Sequence, residues 1–171
     1  MSDAIHGGAD HSLGLANSVA ASVPVVRSAA DAWAALVMKL VTAPFDPTTL
    51  PAWASLACVS VCALRQRCYA ANVSPKQSLR FSRLLRAVLR AEGQRWEPAM
   101  WLVAADARTL QRLVREGGLA MAARRAPSAE QYLAGQTIME AGTAAMCALR
   151  ERLTACRGME LPPASGGSAG N

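Results

Sequence analysis

A chain of 171 residues has room for one modest domain with tails, because domains commonly run to ~100–200 residues; two catalytic lobes are excluded. Although 52% of the residues are hydrophobic, 36 residues are Ala against two Ile, two Phe and two Tyr, a composition of helix formers that points to an all-α fold. The net charge of +6 is concentrated in residues 47–91, which hold Arg65, Arg67, Lys76, Arg80, Arg83, Arg86 and Arg90 and no Asp or Glu, while residues 1–46 carry two basic against four acidic side chains and residues 92–160 nine against eight.

Residues 1–27 mix Gly, Ala, Ser, Asp and His without a sustained period and are expected to form a disordered tail. A first helix is predicted from after Ser28 to about Ala43, with Trp33, Leu36, Val37, Leu40 and Val41 near one face. Pro44, Pro47 and Pro51 then break the chain, and a second helix is predicted over residues 52–71. Its apolar run, residues 53–64, is shorter than the ~20 residues that span a bilayer. With Trp53 at one end and Arg65 and Arg67 past the other, the run has the make-up of an interfacial segment. No transmembrane span is expected, nor is a signal segment, and the expected location is the cytoplasm.

The next helix has the clearest start. Ser74-Pro75-Lys76-Gln77 offers a Ser cap, a proline at the first helical position and a Gln that closes a capping box. On a wheel of ~100° per residue, Phe81, Leu84, Leu85, Val88 and Leu89 share one arc, while Lys76, Arg80, Arg83, Arg86 and Arg90 share the opposite one. Leu79 falls on the wrong side. A purely cationic face is either a solvated exterior or a site for an anionic lipid, nucleic-acid backbone or acidic protein. With the face on the surface, changing Arg80, Arg83, Arg86 and Arg90 together to Gln is expected to leave the fold intact.

From Trp96 onward Met100, Val103, Ala107, Leu110, Val114, Gly117 and Met121 recur at steps of three and four, and after a break at Pro127 so do Ile138, Gly142, Ala145, Leu149, Leu153 and Cys156. These seams predict two helices of about 27 residues joined as an antiparallel hairpin, the second opened by a capping box at Ser128-Ala129-Glu130-Gln131. Gly117 and Gly118 fall inside the first of them, at a cost of ~1 kcal/mol each. Taken together, the expected organisation is a tail over 1–27, a basic helical segment over 28–95, the hairpin over 96–158 and a disordered tail over 159–171. The whole is a helical hairpin or bundle of about five helices.

Chemistry is poorly represented. Both histidines, His6 and His11, stand in the N-terminal tail, so no general base lies near a Ser or Cys in the helical body. Cys58, Cys62, Cys68, Cys147 and Cys156 form no Cys-x-x-Cys pair, and they are expected to be small apolar helix residues in a reducing compartment. No glycine-rich phosphate loop stands between a strand and a helix. No catalytic residue, metal or cofactor is expected.

The stretch Asp106-Ala-Arg-Thr-Leu-Gln-Arg-Leu-Val-Arg-Glu-Gly-Gly-Leu-Ala-Met-Ala-Ala-Arg, then Arg125-Ala-Pro-Ser-Ala-Glu-Gln-Tyr-Leu-Ala-Gly-Gln136, then an Ala-rich amphipathic helix to Arg157, resembles proteobacterial phasins, the helical proteins that coat polyhydroxyalkanoate granules. The resemblance leaves out the basic, cysteine-bearing residues 47–91. It implies a non-catalytic, homo-oligomeric surface protein whose apolar seam, namely Met100, Val103, Leu110, Val114, Met121, Ile138, Leu149 and Leu153, adsorbs to a hydrophobic polymer. Two other readings stand beside it: a nucleic-acid-binding or nucleoid-associated protein using residues 76–90, and a helical adaptor whose seam accepts partner helices.

Overall fold

The structure is a computed structural model that describes residues 15–136 and 143–157, and the side chains of residues 28–136 and 143–156. Eight helices order the described residues: α1 (Leu15–Val41), α2 (Leu50–Leu56), α3 (Val61–Ala70), α4 (Pro75–Arg90), α5 (Pro98–Trp101), α6 (Ala107–Glu116), α7 (Ala129–Ala134) and α8 (Ala144–Arg157). The only β-pairing among them is an isolated bridge between Trp96 and Ala123. The all-α expectation holds, with more and shorter helices than five. Residues 1–14 and 158–171, which include part of the tail expected over 1–27 and all of that over 159–171, and Ile138 and Gly142, lie outside the described residues.

Short helices arise because the chain repeatedly enters the left-handed region. Cys58 (φ 55°), Asn72 (φ 58°), Gly93 (φ 78°) and Gly118 (φ 72°) each follow a helix end. Three of these ends close as Schellman motifs, in which the residue after the left-handed one donates its N–H back to the last full turn: Val59 to the Ala54 carbonyl, Val73 to Cys68 and Leu119 to Val114, each at 3.0 Å. Two expectations are thereby corrected. The helix expected over 52–71 is two, α2 and α3, separated at Cys58. The first long helix of the hairpin stops at Gly117-Gly118, which terminate α6 rather than sit inside a helix. A third correction is at the N-terminal side, where α1 begins at Leu15 rather than after Ser28. That stretch holds Pro24 and four Val, weak helix formers, and no sustained period, so nothing in it marks a helix in the sequence.

The caps are better matched. At α7 the Ser128 hydroxyl accepts the Gln131 N–H (3.1 Å) while the Gln131 side chain accepts the Ser128 N–H (2.9 Å), a full capping box. At α4 the Ser74 hydroxyl accepts from the Gln77 N–H at 3.4 Å, the first half of the box expected there.

One hydrophobic cluster draws on both expected segments, from Trp33 and Leu40 of α1 through Phe81, Leu84 and Val88 of α4 to Tyr132 of α7 and Met146 and Leu149 of α8. The helix α4 is its axis: residues 81–88 are buried without a break, whichever way they point on the wheel. Leu79, on the wrong arc in the sequence, is buried too. Three tryptophans are fully buried and each anchors its N–H, as buried indoles usually do. Trp33 donates to the Ser78 hydroxyl (2.9 Å), Trp53 to the Leu36 carbonyl (3.0 Å) and Trp96 to the Ala120 carbonyl (2.7 Å). Trp53 is therefore a core residue tying α2 to α1, which corrects its expected place at an interface. Phe81 stacks between Trp33 (5.9 Å) and Tyr132 (5.7 Å), and the Tyr132 hydroxyl donates to the Phe81 carbonyl (3.3 Å), joining α1, α4 and α7. The second seam does not face the first: α8 packs along α1, so no simple hairpin forms.

Candidate interaction surface

The cationic arc of α4 does not face solvent as a whole. Arg83 and Arg86 are 8% and 4% exposed, which corrects their expected role as surface anion binders. The physical reason is that α4 is central, and two irregular segments laid across it bring backbone carbonyls that need donors. Arg83 forks onto Asp46, its Nε donating to Oδ1 (2.9 Å) and its Nη2 to Oδ2 (2.7 Å), and it donates as well to the Val103 carbonyl. Arg86 donates to the carbonyls of Ala43 (3.1 Å), Trp101 (3.2 Å) and Pro44 (3.2 Å). Half-exposed Arg90 adds a bond to Ala43 (2.7 Å). A guanidinium has five donors in a rigid fork and no acceptor, so it suits a pocket made of carbonyls. Burial, and then the charge of Arg90 beside it, lower the Arg86 pKa from its usual value.

The clamp has an outer consequence. Asp46 also accepts the Val103 N–H (2.8 Å), so residues 43–46 and 101–103 are stitched side by side over α4. On and beside these segments stand Phe45, Met100 and Val103, which are 54%, 67% and 59% exposed. Large apolar side chains held in water on a fixed support are candidates for contact with another surface.

The expected seam divides. Leu110, Val114, Leu149 and Leu153 belong to the core, which corrects their role as an adsorbing face; Met100, Val103 and Met121 remain exposed. Phe45 was missed by the sequence reading, because a lone aromatic between Pro44 and Asp46 belongs to no periodic face. Lys76 is exposed and Arg80 half-buried, the latter in an ion pair with Glu116 across to α6. Among the described residues no group of His, Cys, Asp and Glu could hold a metal ion, and no helix is long and apolar enough to cross a membrane.

The chain matches no family model, no curated protein and no solved structure.

Proposed function

We propose that this chain is a non-catalytic helical protein that attaches to an apolar surface, the polyhydroxyalkanoate granule of phasins being the surface its resemblance implies. The observation that carries the reading is the exposure of Phe45, Met100 and Val103 on adjoining segments held by Arg83, Arg86 and Asp46. Burying such a side chain is worth ~1.5–3 kcal/mol, and a surface fixed in advance loses little entropy on contact. Attachment occurs through this patch with the helical core intact, whereas the seam residues of α6 and α8 stay inside. A chain that closes its own core has no need of a partner helix to fold, which leaves the adaptor reading with less support. The DNA reading loses Arg83 and Arg86, which are occupied internally.

Adsorption to polyhydroxyalkanoate particles tests the proposal. Enrichment over a soluble helical control, resistant to salt and lost in the triple variant Phe45→Ser, Met100→Ser, Val103→Ser, is the expected result. Equal partitioning of the native chain and the control would remove it.

A further inference from the structure

The two cations of α4 that are not consumed by the clamp face a different feature. Between the first turns of α4 and the helix α6 lies a pocket of about 130 Å³ lined by Thr48, Lys76, Arg80, Arg83, Arg112 and Glu116 over an apolar floor of Leu79, Ala104 and Leu113. Its charges are unevenly matched. Arg83 is neutralised by Asp46 and Arg80 by Glu116. Asp106, whose charge reaches Arg112, is held in the cap of α6, where it accepts the Thr109 N–H (2.6 Å) and hydroxyl (3.2 Å). Lys76 on one wall and Arg112 on the other make no ion pair among the described residues.

We propose that this pocket between α4 and α6 binds a phosphoryl oxyanion, clasped between Lys76 and Arg112 with Arg80 beside them. Two features select that chemistry. Lys76 and Arg112, neither held in a salt bridge, add two positive charges to one cavity and so favour a dianion, and a phosphate monoester carries ~−1.5 to −2 charges at pH 7. A guanidinium grips such oxygens through paired N–H bonds, while an ammonium adds a compact charge. The inference does not depend on attachment to an apolar surface, since none of Phe45, Met100 and Val103 lines the pocket.

Thermal melting of the full chain with rising inorganic phosphate, at ionic strength held constant with chloride, tests it. A saturable rise in Tm is expected. Lys76→Gln and Arg112→Gln should each weaken the apparent affinity about tenfold, since a charge-assisted bond is lost, while the charge-matched Arg152→Gln on α8 should leave it unchanged. Glu116→Gln, which frees Arg80, should tighten binding, and Glu151→Gln, with the same change in net charge, should not. Circular dichroism confirms that each variant is folded before it is compared. Flotation with phosphatidylcholine vesicles containing either phosphatidic acid or phosphatidylserine separates two sources of the same group. A preference for phosphatidic acid that Lys76→Gln abolishes assigns a lipid headgroup, and phosphate binding without that preference assigns a free phosphate. Absence of a saturable Tm rise, or equal losses in Lys76→Gln and Arg152→Gln, would overturn the proposal.

Discussion

Arg83 shows how much a single side chain can hold. It is an ion pair to Asp46 with side chains 10% and 2% exposed, and both partners also bond Val103. Removing one member of a buried pair leaves the other charged and unmatched, so Asp46→Ala should cost ~3–5 kcal/mol in urea unfolding. By the same argument the joint change of Arg80, Arg83, Arg86 and Arg90 to Gln should now abolish cooperative melting, against the intact fold that a surface placement implies. Cys58 offers the opposite case. A left-handed residue bearing a Cβ is strained by ~1–2 kcal/mol, and Cys58 holds φ 55° at the end of α2; Cys58→Gly should raise the melting midpoint. The cysteines also differ in reactivity. Burial pushes the Cys68 thiol up, offset in part by a hydrogen bond to Ser78, while Cys58, Cys62 and Cys147 are exposed. Because the thiolate is the reactive species, a thiol reagent should label those three rapidly and Cys68 only on unfolding.

The elements depend on their ends more than on their lengths, since most are too short to stand alone. Ser128→Ala removes the hydroxyl half of the α7 capping box and should cost ~1 kcal/mol. The α6 cap responds to pH. Accepting the Thr109 N–H, and secondarily the Thr109 hydroxyl, the Arg108 N–H and the charge of Arg112, holds the Asp106 carboxyl below the usual carboxylate range. A carboxyl lowered on folding stabilises the folded state above its unfolded-state pKa, and that contribution is lost as pH falls through the folded-state value. Acid titration followed by amide exchange should therefore release α6 before α4 or α7, and Asp106→Asn should remove that pH dependence while keeping a cap. The caps of α4 and α7 were legible because Ser-Pro-x-Gln and Ser-x-x-Gln place donor and acceptor within four residues, whereas the Asp106 cap of α6 was hidden inside the long helix expected there. Termination by Cys58 was not legible, because a left-handed Cys leaves no mark in a run of apolar and helix-forming neighbours, whereas the end of α3 before Asn72 falls where the expected helix over 52–71 stops.

For the molecule as a whole, the composition carried the fold class and the wheel carried the apolar side of α4: Phe81, Leu84, Leu85 and Val88 are all buried. What the wheel could not carry was the fate of the opposite side. A row of arginines along a helix reads the same whether it meets water or the carbonyls of residues 43, 44, 101 and 103, and those carbonyls arrive from segments distant in sequence. The seams failed for a related reason. Leu110 and Val114, like Leu149 and Leu153, do point inward, but periodicity says nothing about which helix they meet, and α8 meets α1. The pocket between α4 and α6 was half visible: Lys76 and Arg80 were singled out, whereas Arg112 was hidden among balanced charges.

The bond from the Val103 N–H to Asp46 spans 57 residues of chain, and with the arms of Arg83 and Arg86 it brings the segment of Phe45 beside that of Val103. Closing a loop of that length loses entropy that only the finished core returns. An emerging or unfolded chain thus has the three apolar side chains but no composite patch, and the patch itself is a property of the completed fold. On the proposed reading, attachment through it is open only to the folded chain, and an unfolded copy has nothing to attach with.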